Sequence, residues 1–302
     1  MMADDPAPST DLTETIITAP LELRAGELRL ALRPDLGGSI AGLWLSDGLA
    51  DTAVLRSTEP GELSGARLSG CYPLVPYSNR LGYRRFRWLG QDHTTAPNFD
   101  DNPHSVHGVA WQRAWSVVSS DSGQAELQYS HTPDAHWPFA FTVRQRFVLT
   151  ADALEVHLAF TNQHTQTQPL GLGWHPYFPK RQRSRLHIEL SERWDSDASG
   201  LPTRHVPQPG IDSDVSHLAF DNCFGGWKGP ARIRDEKLSL RLSSSAPYLV
   251  VFTPGDKPYY CVEPVTHVSN AIHMADPAAH GLRSVEPGLT VDAWMKLEIS
   301  RA

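Results

Sequence analysis

Apolar side chains at every second position commit a segment to an extended strand, because only a two-residue period places them all on one face. Leu289, Val291, Ala293, Met295, Leu297 and Ile299 follow this pattern, with Thr290, Asp292, Lys296 and Glu298 between them. Phe139, Phe141, Val143, Phe147 and Leu149 share one parity. After Ala151 and Asp152, Leu154, Val156, Leu158 and Phe160 share another, so the two segments read as a hairpin. Further strands are expected over 21–33, with Ala25 and Gly26 as a turn, and over 39–45, 111–119, 124–131, 185–190, 231–242, 248–253 and 259–263.

No segment of similar length keeps a 3.6-residue period with a cap before it and Gly after it, so helices should be few and short. The pattern predicts an all-β chain packed as a sandwich or barrel. The Pro- and Gly-rich stretches 202–214 and 273–288 read as long loops over a sheet, since strands resume on both sides without a change in composition. The first 15 residues carry Asp4, Asp5, Asp11 and Glu14 and no Lys or Arg, which predicts a disordered lead before a single domain over 16–302.

Composition narrows the function. A net charge of -7 offers no basic field for nucleic acid or an anionic membrane, which favours a small-molecule partner. No apolar run reaches membrane-spanning length. Cys71, Cys223 and Cys261 are odd in number and far apart, which suggests neither a disulfide framework nor a thiolate zinc site and makes reducing cytoplasm the expected location. Oligomeric state is open.

Polar chemistry concentrates in a few segments. The first, 70–80 (GCYPLVPYSNR), presents Asn79 and Arg80, an amide and a guanidinium able to donate several fixed hydrogen bonds to hydroxyls or an oxyanion. Segment 102–108 (NPHSVHG) holds His104 and His107, three apart, but Pro103 and Gly108 argue for a loop and no third metal ligand is apparent. Segment 171–178 (GLGWHPYF) fixes His175 between Gly, Pro and aromatic residues, with Trp174, Tyr177 and Phe178 offering flat faces for sugar C–H groups. Its imidazole has the unperturbed pKa nearest neutrality, suiting it to give and recover a proton. In 259–270 (YYCVEPVTHVSN), Glu263 precedes Pro264, which is expected to end a strand. Placed at a sheet rim among apolar neighbours, its carboxylate would become a stronger base. Asp221, within 220–227 (FDNCFGGW), serves equally as a hydroxyl anchor or a turn cap.

In this order the motifs resemble the aldose 1-epimerase (galactose mutarotase) family, from about Leu21 to the C-terminus. The resemblance rests on Asn79-Arg80, His107-Gly108, His175-Pro176-Tyr177, Asp221 and Glu263-Pro264. It implies a super-β-sandwich of antiparallel strands with an open cleft and a reaction without metal or other cofactor. It also implies His175 as general acid toward the ring oxygen and Glu263 as general base toward the anomeric hydroxyl. The pair is expected on opposite sides of the hemiacetal, with Asn79, Arg80, His107, Asp221 and Tyr177 binding the sugar. Three alternatives stand beside an epimerase of free aldoses. One is a hexose-6-phosphate mutarotase, drawing on Arg80, Arg84, Arg85, Arg181, Arg183 and Arg185. The others are a non-catalytic carbohydrate-binding protein and a glycoside hydrolase using Glu263 with Asp221.

Overall fold

The computed structural model describes residues 20–302, so the acidic lead lies outside the described residues. Antiparallel strands dominate, and the helical segments among the described residues are five short 3-10 turns. No helix among them is long and apolar enough to cross a membrane.

The larger of two main sheets has nine strands. From edge to edge they are Ser116–Ser120, Gln124–His131, Phe141–Leu149, Ala153–Asn162, Thr290–Arg301, Leu238–Ser244, Lys228–Arg234, Arg185–Glu189 and Ile211–Asp214. The alternation read from the sequence is realised here: Phe141–Leu149 buries every second residue, and Leu149 pairs with Leu154 across the expected hairpin. Large apolar residues such as Phe147 and Phe160 leave water entirely, each contributing roughly 1.5–3 kcal/mol.

The second sheet carries the cleft. Its path runs Pro202–Pro207, Glu192–Ser196, Asp221–Gly225, Tyr248–Phe252, Tyr259–Val265, Gly173–Trp174 and Pro73–Leu74, and Tyr177–Pro179 also pairs with Tyr259–Val265. One core cluster draws side chains from both large sheets and from the four-stranded sheet of Leu21–Ala25, Leu28–Arg33, Ser39–Ser46 and Asp51–Ala53.

Three strand expectations need correction. Residues 111–119 begin in a 3-10 turn, Ala110–Gln112, and become a strand only at Ser116. The 231–242 segment is a hairpin broken at Asp235, whose Oδ1 accepts the N–H groups of Lys237 and Leu238. The stretch 202–214 holds two edge strands, Pro202–Pro207 and Ile211–Asp214, instead of a long loop, because prolines are tolerated where one side of a strand is unpaired. The 273–288 stretch is loop apart from Arg283–Val285.

Two glycines permit the close approaches that shape the cleft. Gly108 has φ 68°, and a Cβ there would lie 2.1 Å from the Val75 carbonyl oxygen. A Cβ on Gly171 would lie 1.8 Å from the His267 ring, which leaves no space for Ala. Gly171→Ala should therefore destabilise the fold by about 1–3 kcal/mol through overpacking. Urea unfolding of the two proteins checks this, and equal midpoints would show that the ring moves aside freely.

Candidate active site

The site is built by strand register. Gly173–Trp174 and Tyr177–Pro179 both pair with Tyr259–Val265, matching Gly173 to Val265 and Tyr177 to Cys261. Residues 175 and 176 interrupt the ladder, and the same register on both sides sets His175 opposite Glu263. The N–H of His175 donates to the Tyr72 carbonyl on its other side. Tyr72, His175, Glu263 and Val250 thus form one row across the sheet, and Tyr177, Cys261, Phe252 and Asp221 form the next. Side chains of opposite parity, including Trp174, Phe178, Tyr260 and Val262, point into the core.

This alternation corrects two expectations. Trp174 and Phe178 are core residues, and of the three aromatics in that segment Tyr177 alone lines the cleft. Glu263 lies within the sheet, not at its rim, and Pro264 does not end the strand, which runs to Val265. Proline is tolerated there because pairing with the neighbouring strands lapses at this point: Val265 pairs with Gly173, and the ladder resumes only where Cys261 meets Tyr177.

His175 and Glu263 face an open cleft of about 620 Å³, lined also by Arg56, Arg67, Asn79, Arg80, His107 and Tyr177. Asp221 lines it as well. His175 Nε2 is 3.4 Å from Glu263 Oε1. The two are immediate neighbours, so the expectation of an acid and a base on opposite sides of a substrate is replaced by a side-by-side pair. Glu263 Oε2 and His175 Nδ1 are buried without hydrogen-bond partners among the described residues. Burial pushes the Glu263 carboxyl well above its usual range, helped by Asp221 and opposed by Arg80. Burial first, then His107 and Arg56, push His175 well below its usual range. The His175 ring stacks on Tyr177 (4.4 Å between centroids, 16° between planes) and lies 4.9 Å from the Tyr72 ring.

Polar donors are fixed by a loop whose backbone is satisfied by side chains. His267 Nε2 accepts the Ser78 N–H at 3.0 Å while its Nδ1 donates to the Val268 carbonyl. His107 Nδ1 accepts the Asn79 N–H at 3.1 Å, and the His107 N–H donates back to the Asn79 carbonyl at 2.8 Å. That reciprocal pair holds both residues in the left-handed region, at φ 54° and 66°. Because Nδ1 of His107 is an acceptor, its proton resides on Nε2, giving a neutral donor. Asn79 Oδ1 accepts from the Arg80 N–H, Arg80 Nη1 and the Ser269 hydroxyl, which leaves the Asn79 amide NH2 to donate. Arg80 Nη2 lies 3.4 Å from Asp221 Oδ2.

His104 is structural. Nδ1 accepts the Tyr83 N–H and Nε2 donates to the Ser199 carbonyl, so it does not converge with His107 on a metal. Sequence reasoning missed Tyr72, His267, Cys261, Arg56 and Arg67. The first three fell inside segments already singled out, while nothing near Arg56 or Arg67 distinguishes them from surface arginines. A ring nitrogen of His175, Cys261 Sγ and a Glu263 oxygen lie within 4.8 Å of one another, donors of a kind that zinc accepts, although burial raises the Cys261 thiol well above its normal pKa. Of the arginines considered for phosphate, only Arg80 lines the cleft. Arg181 pairs with Asp235, and Arg185 with Asp212 and Asp214.

The neutral acceptor histidines make stability pH-dependent. Burial lowers the pKa of His107 to about 3 and that of His267 to about 4. An unfolded chain protonates its imidazoles near pH 6.5, so below that pH the unfolded state binds more protons and stability falls, until the folded-state pKa is reached. Unfolding free energy should decline between pH 6.5 and 4 by up to about 1.4 kcal/mol per pH unit for each such histidine. Urea titrations across this range read the slope. His267→Gln, which keeps an acceptor but does not titrate, should be shallower; an identical slope would exclude His267 as a contributor.

A sequence model of the family described as Aldose 1-epimerase matches residues 20–298. The uncharacterized protein YphB of Escherichia coli strain K12 is 32% identical over 295 residues, spanning 92% of this chain and 97% of YphB. The crystal structure of a proposed aldose 1-epimerase from Escherichia coli K12 aligns with a TM-score of 0.82 at 30% identity, over 94% of this chain and 99% of that one. A galactose mutarotase-like protein from Clostridium acetobutylicum shares the fold, with a TM-score of 0.80 at 21% identity over 94% and 95% of the two chains.

Proposed function

Because the chain belongs to the aldose 1-epimerase family, we propose that it is a mutarotase, an isomerase that interconverts the α and β anomers of an aldose by opening and reclosing the ring. The observation that carries this reading is the His175–Glu263 pair, 3.4 Å apart on the floor of the cleft. The ring oxygen and the anomeric hydroxyl oxygen are bonded to the same carbon, so an acid for one and a base for the other must be neighbours.

In this mechanism, protonated His175 donates to the ring oxygen while Glu263 removes the anomeric hydroxyl proton. The bond from the anomeric carbon to the ring oxygen breaks, its electron pair stays on that oxygen, and a free aldehyde forms. Rotation about the bond between the first two carbons exposes the opposite face. Closure returns the proton from Glu263 to the aldehyde oxygen, and His175 recovers its own. Ring opening converts an imidazolium–carboxylate pair into a neutral imidazole and a carboxylic acid. Burial favours that neutral pair, in agreement with the direction of both pKa shifts. Both forms hold the same proton, so the cycle needs no exchange with solvent.

Asn79 and the His107 Nε2–H supply fixed donors for hydroxyls, Asp221 an acceptor, Arg80 a charge that steadies developing oxyanions, and Tyr177 the surface on which His175 is held. No cofactor has a role in these steps. In this reading residues 16–302 act as one domain on a monosaccharide in the cytoplasm, supported by a core that draws side chains from Leu23 to Ile299 and by three buried free thiols.

Polarimetry of freshly dissolved α-anomers tests the proposal. The protein should accelerate mutarotation, and His175→Asn or Glu263→Gln should each slow it by about a hundredfold or more with the fold intact by circular dichroism. Two fully active variants would overturn the assignment. Arg80→Ala should lower kcat/KM by about tenfold or more, since it removes charge-assisted hydrogen bonds, and an unaltered value would place Arg80 outside the site.

A further inference from the structure

The His175–Glu263 pair has a third donor beside it that mutarotation does not use. Cys261 stands two residues before Glu263 on the strand Tyr259–Val265, so both side chains leave the sheet on the same face. Its thiol is fully buried and packs in the apolar cluster that holds Tyr72, Tyr177 and Val250, on the cleft side. Cys71, by contrast, belongs to the main core. A ring nitrogen of His175, the Cys261 sulfur and a Glu263 oxygen lie within 4.8 Å of one another, and no other trio of such donors converges among the described residues.

The spacing suits a tetrahedral ion. Nitrogen and oxygen ligands held about 2.0–2.1 Å from zinc are themselves about 3.4 Å apart, and a thiolate at about 2.3 Å stands slightly farther from each. His175 Nε2 and Glu263 Oε1 are separated by 3.4 Å. Glu263 Oε2 and His175 Nδ1 are buried without hydrogen-bond partners among the described residues, so neither side chain has a partner of that kind for an ion to displace. Both line the cleft, which leaves a fourth position open to water, as in zinc sites with three protein ligands. The sulfur donor favours zinc over magnesium or calcium, which prefer oxygen alone.

Charge and protons balance as well. A carboxylate and a thiolate together carry two negative charges, which a divalent ion neutralises. Burial and the Glu263 charge keep the Cys261 thiol protonated in the free protein, and a bound dication, the largest local charge, deprotonates a coordinating thiol. Coordination forms bonds from zinc to nitrogen, sulfur and oxygen, and it releases to solvent the thiol proton and the one proton shared by His175 and Glu263. Zinc has no redox chemistry, so nothing is oxidised or reduced. In the mutarotase reading, the shared proton is the one that ring opening moves. Its loss disables acid and base together.

We propose that His175, Cys261 and Glu263 form an inhibitory zinc site, at which zinc and the sugar compete for the floor of the cleft. The site stands on geometry alone, and the inhibition rests on the mutarotase reading. Cobalt(II) tests the site, because it takes the place of zinc and reports thiolate ligation by a sulfur-to-metal charge-transfer band in the near ultraviolet. With one equivalent of cobalt the reduced protein should show this band. Zinc chloride should abolish it, Cys71→Ser and Cys223→Ser should keep it, and Cys261→Ser should lose it. No band in the unaltered protein, or a band that survives Cys261→Ser, would overturn the site. In calorimetric titration with zinc chloride, Cys261→Ser and Cys261→Ala should each weaken binding by about tenfold or more, with the fold intact by circular dichroism. Polarimetry then tests inhibition. Zinc chloride should slow mutarotation, excess sugar or a chelator should restore it, and Cys261→Ser should need about tenfold more zinc to halve its own rate. A rate indifferent to zinc while the cobalt band forms would reject the inhibitory role. If no sugar is turned over, the mutarotase reading fails and inhibition with it, while the cobalt band still decides the site.

Discussion

The site depends on one interruption in an antiparallel ladder. Two short strands pair with Tyr259–Val265 in a common register, and the residues between them, His175 and Pro176, make no ladder contact with it. Register sets an imidazole across from a carboxylate, and the break lets both face the cleft. Isolating two ionisable groups in an apolar sheet is costly, since each loses its hydration. Here the cost falls on the charged forms and is absent from the neutral pair, so burial favours the transfer proposed for ring opening.

A second constraint supports the first. The loop bearing Asn79 and Arg80 makes little regular structure, and its backbone N–H groups are satisfied by His267, His107, Asn79, Asn270 and His104 side chains. Buried donors rarely go unpaired, so a loop lacking ladder bonds needs such partners. Imidazoles used as acceptors must be neutral, which fixes their tautomers and thereby the direction of the His107 proton. Loop architecture and donor direction are a single arrangement.

Much of this architecture was legible in the chain. The hairpin across Ala151-Asp152 and the terminal strand showed themselves because alternate residues are strongly apolar, and the site motifs because Gly, Pro and aromatic residues crowd around ionisable ones. What escaped were features without local signal. The edge strands in 202–214 carry only Val206 and Ile211 as apolar residues apart from their prolines, so their composition resembles loop. Trp174 and Phe178 looked like sugar platforms, but parity sent them to the core. The adjacency of His175 to Glu263 is a matter of pairing between strands distant in sequence, and no local pattern reports it. Arg56 reaches the cleft because of what Tyr177 and Tyr259 do, more than a hundred residues away.

The row of side chains on the cleft floor belongs to strands whose alternate residues fill the hydrophobic interior, whereas Arg67, Phe99 and Asn102 stand on the irregular border. A change on the floor is transmitted to the packing beneath, since neighbouring residues of one strand serve both sides. A change on the border meets mostly solvent. In the proposed mutarotase reading, chemistry and ligand preference are therefore separable: the border can be rewritten for a different sugar while the floor residues proposed to move protons stay as they are.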